Sequence, residues 1–224
     1  MKKVGIIFSA VVITVIMLSS CGEGASKEEG ASKEKSASKE VTIGKQVWMA
    51  ENLNVSTFRN GDPIPQAKTY EEWDKAGKNN QPAWCYYDND QANGTKYGKL
   101  YNWHAVNDSR GLAPEGWHVP SDAEWTTLTT YLGGESVAGD KMKITSGWAE
   151  NGNGTNESGF SGLPGGNFGT GGKNGYFGVG GGWWSSTETG ATTAWFRNLR
   201  NGSDTVYRDD YSKEEGFSVR CLRD

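Results

Sequence analysis

Histidine, cysteine, methionine and proline are all scarce in this chain, at two, three, four and six of 224 residues. Two histidines do not supply a multi-histidine metal centre, and three cysteines are too few for a small disulfide-dense scaffold. Basic charge is not in excess: the net charge is -4, which argues against a general nucleic-acid binder. The apolar stretch Val4–Leu18 spans only fifteen residues, where a membrane-crossing helix needs about 20. Glycine is plentiful, with 32 residues, and so are aromatic side chains, with 10 Trp, 9 Tyr and 7 Phe. Glycine opposes helix while each ring carries much buried area, so the mixture points to a loop-rich, irregular fold rather than a helix bundle. With 35% hydrophobic and 22% charged residues, the chain is neither collagen-like nor wholly disordered.

Lys2 and Lys3 precede the apolar stretch as the positive end of a secretory signal. Leu18-Ser19-Ser20-Cys21 then resembles the bacterial lipobox, in which two small residues precede the cysteine that is lipidated. Residues 1–20 are expected to be a lipoprotein signal peptide and Cys21 the lipidation site, so the membrane is a partner through an anchor that does not span it. The expected location is the bacterial cell envelope, at the outer membrane or cell surface. Ala-Ser-Lys-Glu recurs at 25–28, 31–34 and 37–40, a period of six that matches neither a helix nor a strand face. Residues 21–40 therefore read as the lipidated cysteine and a flexible tether, reaching roughly 65 Å when extended.

Residues 41–224 contain no further linker and are expected to form one domain. Val41–Met49 reads as a strand, with β-branched residues on both sides of Gly44. Thr69-x-x-Glu72 predicts a capped short helix that Gly77 closes. Ser121-Asp122-Ala123-Glu124 repeats the capping pattern, and Trp125, Leu128 and Leu132 recur at helical spacing, predicting a core-facing helix ended by Gly133-Gly134. Ten glycines between Gly165 and Gly182 predict loops. Trp183-Trp184, Ala194–Arg200, Thr205–Asp209 and Phe217–Leu222 read as short strands, with a tight hairpin at Asn201-Gly202.

Six motifs in order carry a resemblance. Val47-Trp48-Met49-Ala50-Glu51-Asn52-Leu53, Tyr97-Gly98-Lys99-Leu100-Tyr101-Asn102-Trp103, Gly116-Trp117-His118-Val119-Pro120-Ser121, Asn156-Glu157-Ser158-Gly159-Phe160, Trp183-Trp184-Ser185-Ser186-Thr187 and Ser218-Val219-Arg220-Cys221 together cover nearly the whole domain. The sequence resembles the Fibrobacter succinogenes major paralogous domain family, whose members are secreted or lipid-anchored bacterial proteins of unassigned biochemical role. More distantly, the capped helix, the Trp-Trp segment and the closing Gly-Phe-Ser-Val-Arg look like the formylglycine-generating and diversified variable-protein branches of the C-type-lectin-like fold. That implies an α+β domain: a small twisted antiparallel sheet, two short helices and long glycine-rich loops.

The chemistry such a fold hosts elsewhere does not carry over. A formylglycine-generating type would need two reactive cysteines in the C-terminal part, and only Cys221 lies there. An iron-dependent sulfoxide synthase type would need three histidines, and only His104 and His118 exist. The calcium triplets of lectins are missing, and Asp88-Asn89-Asp90 with Asn93-Gly94 fails the twelve-residue calcium loop at Lys99 or Leu100. No cofactor or metal is expected, and a structural calcium held by carbonyls has no motif behind it. The nucleophile-elbow and phosphate-loop patterns are absent, and the adjacent carboxylates Asp209-Asp210 and Glu214-Glu215 read as solvated charge.

A recognition surface survives these exclusions. Aromatic, arginine and asparagine residues crowd the segment from Trp195 to Tyr207, a composition able to stack on sugar rings or grip a protein. Trp184, Arg197, Asn198, Arg200, Asp204, Tyr207 and Arg208 are the expected ligand-binding residues, against the competing reading that the Trp-Trp pair roofs the core. Strand alternation divides Trp195, Arg197 and Leu199 from Phe196, Asn198 and Arg200 without saying which set faces outward. Export would place Cys85 and Cys221 in an oxidising compartment, and a disulfide between them is expected, with two buried free thiols as the alternative. The expected function is a lipid-anchored cell-surface binding module for a polysaccharide or protein ligand. The competing classes are a structural envelope protein and a hydrolase-like enzyme with an unrecognised carboxylate pair.

Overall fold

Gly44 takes a left-handed φ of 63°, and this single residue turns the segment read as one strand into a hairpin. β1 (Glu40–Ile43) and β2 (Gln46–Met49) pair antiparallel across it, with Val41 opposite Trp48. The computed structural model describes residues 39–224, which fall in one compact unit. The expected signal peptide, lipidation at Cys21 and most of the tether lie outside the described residues.

β2 pairs with β11 (Leu222–Arg223), and β11 with β5 (Trp117–His118), so a four-stranded sheet ordered β1-β2-β11-β5 joins the start of the domain to its end. β3 (Trp84–Cys85) and β4 (Leu100–Tyr101) form a two-stranded sheet. A third sheet is ordered β10-β9-β8-β6-β7 and comprises β6 (Gly165–Phe168), β7 (Asn174–Phe177), β8 (Gly180–Glu188), β9 (Thr193–Arg200) and β10 (Tyr207–Ser212). All its pairs are antiparallel except β6 with β8.

Among the described residues five α-helices accompany the sheets: α1 (Tyr70–Lys78), α2 (Gln91–Tyr97), α3 (Trp103–Val106), α4 (Asp122–Tyr131) and α5 (Glu135–Met142). The fold is α+β. The Thr69 hydroxyl caps α1 by accepting from the Glu72 N–H. Gly77 does not close α1, as the sequence suggested: it lies within the helix, buried where a Cβ would meet the Glu214 side chain at 2.9 Å, and the chain leaves the helix at Asn79. α4 has the complete capping box at Ser121 and Glu124, and Gly133 and Gly134 follow its C-cap with positive φ. Trp125, Leu128 and Leu132 enter a buried cluster with Trp48, Phe160 and Trp183, where the Trp48 and Trp125 rings lie 4.8 Å apart.

The glycine tract departs from expectation, because most of it is sheet. A Cβ at Gly181 would stand 2.3 Å from the Leu163 carbonyl oxygen, and one at Gly182 would stand 2.8 Å from the Phe217 ring. The glycines here let strands pass under other chain segments, so close packing outweighs their low strand propensity. The expected tight hairpin at Asn201-Gly202 is also corrected: Tyr207 pairs with Asn198, leaving the six-residue connection 201–206.

The expected disulfide is absent, and Cys85 and Cys221 are buried free thiols. Cys85 packs with Ala67, Trp73, Leu100 and Phe168, whereas Cys221 belongs to the separate cluster of Met49, Tyr101, Trp184 and Val219. Each serves as a small apolar core group, and burial pushes both thiols well above their ordinary pKa.

A polar hub lies within this core. Arg220 is fully buried and has no carboxylate partner among the described residues; its Nε and Nη2 donate to Asn52 Oδ1 at 3.1 and 2.7 Å, and Nη1 donates to the carbonyls of Met49 and Phe160. The guanidinium also sits 4.3 Å from the Phe160 ring centroid. Asn52 Oδ1 accepts from Trp183 Nε1 at 2.8 Å, while Asn52 Nδ2 donates to the Tyr97 carbonyl and the Ser218 hydroxyl. Asn52→Ala removes the acceptor shared by a buried cation and a buried indole. It is expected to lower stability by about 3 to 5 kcal/mol, measured by urea unfolding followed through tryptophan fluorescence.

Candidate functional site

β9 divides its side chains between two environments, which settles the alternation left open by the sequence. Arg197 is fully buried on the face toward α4, where Nη1 donates to Asp122 Oδ1 at 2.7 Å and Nη2 to the Asp122 carbonyl and Thr126 Oγ1. Arg208, opposite Arg197 in the β9–β10 register, donates through Nη2 to Asp122 Oδ2 at 3.0 Å and stacks 3.5 Å above the Trp195 ring. Although burial alone would raise it, the Asp122 carboxyl is held below its usual range by these two guanidinium groups. Arg197 and Arg208 thus fasten the sheet to the start of α4. This corrects Arg197 as a ligand contact and engages Arg208 in a structural pair.

Trp184 is also corrected. It is fully buried, its Nε1 donates to the Tyr101 carbonyl at 2.8 Å, and its ring lies 4.8 Å from Phe217. The Trp-Trp pair belongs to the core, as the competing reading had it. Asp204 is exposed but lies in a pinned loop: its carbonyl accepts from the Gly139 N–H at 2.7 Å, and Val206 N–H donates to the Glu135 carbonyl. The buried Lys143 ammonium reaches the Ser203 carbonyl at 2.9 Å and the Arg200 carbonyl at 3.5 Å.

The other face of the sheet brings Asn198, Arg200 and Tyr207 together. They line a small hollow of about 60 Å³ with Asn167, Tyr176, Asp209 and Tyr211, over a floor formed by Gly180, Phe196 and Phe217. Register explains the opening: Gly180 stands beside Arg200 and Gly182 beside Asn198, so β8 offers no side chain there, while Tyr207, Asp209 and Tyr211 follow at period two along β10. Asp209 and Tyr211 were therefore recoverable from the alternation starting at Tyr207. Asn167 and Tyr176 were not, because they come from strands hidden in the glycine tract.

The electrostatics of this hollow are open. The Arg200 guanidinium lies 4.3 Å from the Tyr207 ring centroid and has no carboxylate partner among the described residues. Among the described residues the Asp209 carboxylate accepts only the N–H of Asp210. Buried oxygens Oδ1 of Asn167 and Asn198 have no hydrogen-bond partner. Burial first, then the neighbouring Tyr176, Glu215 and Asp209, raises the Tyr211 phenol, so it stays a donor at neutral pH. Tyr176 is 67% exposed, the largest value among the exposed apolar and aromatic side chains. A larger open hollow of about 360 Å³ beside Asn52 and Lys96 carries no aromatic lining, and its Lys39 and Glu51 pair with each other at 2.9 Å.

His118 Nδ1 lies 2.8 Å from Asp224 Oδ1 and Nε2 lies 3.0 Å from Glu124 Oε1, while the Ser121 hydroxyl donates to Glu124 rather than to the histidine. No nucleophile–base pair results. Asp209 and Asp210 point to opposite faces of β10, and Glu215 is buried, accepting from Thr170 N–H and Oγ1 at 3.0 Å each. No group of three or more His, Cys, Asp or Glu side chains among the described residues is placed to hold a metal ion.

His118 carries a pH dependence. Burial alone would lower its pKa, but hydrogen bonds to Asp224 and Glu124 outweigh it and raise the imidazole above its ordinary value. A raised folded-state pKa stabilises the domain fully below about 6.5, the unfolded value, and that contribution fades as pH rises through the folded value. Comparing melting temperatures of wild type and His118→Gln from pH 5.5 to 8.5 should show the largest gap at the acid end and a shrinking one above neutrality.

The family model described as the Fibrobacter succinogenes major domain matches residues 41–223. No curated protein matches this chain. The matched span contains both the Arg220–Asn52 hub and the sheet-face hollow, and no described helix is long and apolar enough to cross a membrane. With nearly all of its described residues covered by that model, the chain belongs to the Fibrobacter succinogenes major domain family.

Proposed function

We propose that this protein is a non-catalytic, lipid-anchored binding module of the bacterial cell envelope, displayed at the outer membrane or cell surface. In this reading it recognises a polysaccharide or protein ligand through the outer face of its five-stranded sheet. The observation that carries it is the gathering on that face of exposed Tyr176 and Tyr211 with Arg200 and Asp209, which have no ion-pair partner among the described residues, beside Asn198. Clustered exposed aromatic rings rimmed by polar groups mark interaction sites. The capped α4, the buried Trp-Trp segment and the closing Gly216-Phe217-Ser218-Val219-Arg220 support a C-type-lectin-like fold for the domain. The anchor rests on Leu18-Ser19-Ser20-Cys21.

The surface is tested with the Arg200→Ala, Tyr207→Ala double variant on a glycan array and in pull-downs from envelope extract. Arg200 is exposed and Tyr207 half-buried at the rim of the hollow, so the expected stability loss is under about 1 kcal/mol, while binding to the captured ligand falls at least about tenfold. Unchanged affinity would move the site elsewhere. Cys21→Ser is expected to release the protein from the membrane fraction or to block its maturation, since stable anchoring takes two or more acyl chains. A processed Cys21→Ser protein that stays membrane-bound would remove the anchor from the model of function.

A further inference from the structure

We propose that Tyr176 is a stacking platform for a neutral pyranose ring; this rests on the sheet-face binding surface described above and names its ligand class. Tyr176 has a φ of +61°, the left-handed region that a residue bearing a Cβ rarely occupies and an aromatic residue least of all. Between the register pairs Gly165↔Phe177 and Asn167↔Gly175 stand Gly166 and Tyr176, and both are left-handed. Gly166 is the residue type such a position calls for; Tyr176 is not. The conformation is held by a turn in which the Tyr176 carbonyl accepts from the Val179 N–H at 3.0 Å, with left-handed Gly178 inside it. Gly180 leaves room for the tyrosine, since a Cβ there would stand 3.0 Å from Tyr176 Cβ.

A strained tyrosine that contributes most of its surface to solvent does not serve the core. Strain of this kind persists where a site uses it. Beside the ring, Arg200 and the Asn198 amide nitrogen offer donors and Asp209 offers acceptors. Sugar hydroxyls both donate and accept, so a polyol satisfies all three groups at once, whereas an anion or cation would be repelled by one of the two opposite charges. The apolar C–H face of a pyranose matches the face of the phenol ring.

The test uses the full chain and titrates methyl β-D-glucopyranoside, methyl β-D-galactopyranoside and methyl α-D-mannopyranoside by saturation-transfer NMR, with glucuronate and glucosamine as charged controls. At least one methyl glycoside is expected to bind and both charged controls to bind at least about fivefold more weakly. Tyr176→Phe keeps the ring and should retain affinity within about threefold. Tyr176→Gly should weaken binding at least about tenfold while raising the melting temperature by about 2 to 4 °C, because glycine relieves the left-handed backbone. Loss of binding together with a higher melting temperature separates a platform from a structural residue. Unchanged glycoside affinity or an unchanged or lower melting temperature in Tyr176→Gly overturns the proposal, as does preferred binding of a charged control. If no glycoside binds but a captured protein depends on Arg200 and Tyr207, the sugar assignment fails and the binding surface stands; if a ligand binds independently of both, the surface itself is wrong.

Discussion

A guanidinium buried without a carboxylate is the constraint around which this domain is arranged. Arg220 is fully enclosed, and burial pulls its pKa down to about 9, which still leaves it charged at neutral pH. Isolated charge in a protein interior is so unfavourable that each donor must find an acceptor. Asn52, Met49 and Phe160 supply those acceptors from segments distant in sequence, and the Phe160 ring covers the cation's face. Trp183 and Ser218 attach to the same asparagine. Residues from five of the six family motifs therefore meet at one point, so the motifs describe how the domain closes on itself rather than what it binds.

That closure sets the frame for the five-stranded sheet. One face of β9 is committed to structure: Arg197 and Arg208 share Asp122 and thereby hold the sheet to α4. On the opposite face Gly180 leaves β8 without a side chain beside Arg200, and there tyrosines, an arginine and an aspartate stand together over Phe196 and Phe217. Two adjacent residues of one strand thus have opposite duties, one sealed inside and one open to solvent.

The surface is also held ready. Backbone and side-chain contacts from Gly139, Glu135 and Lys143 fasten the 201–206 connection to α5 and the segment after it, so Arg200 and Tyr207 stand at strand ends on either side of a braced loop. Binding to a preformed surface loses less conformational freedom than ordering a loose one. The left-handed backbone at Tyr176 belongs to the same design, with local strain offset by the turn that contains it.

Local chemistry alone determined a good part of this protein. The capping residues Thr69 and Ser121 announced α1 and α4, and the Trp125-Leu128-Leu132 stripe announced its burial, because caps and helical periodicity act within a few residues. The six motifs carried the family. Tertiary structure decided the rest. Ten glycines were read as loop since intrinsic propensity says so, but six of them lie in strands, and the contacts that place them there, such as the Leu163 carbonyl against Gly181 and Phe217 against Gly182, come from other segments. Trp184 and Arg197 looked like contact residues by composition, and only the placement of Tyr101, Phe217 and Asp122 around them made them core. Tyr176 carried no signal at all, because its exposure and its left-handed backbone exist only once β6, β7 and β8 are laid side by side.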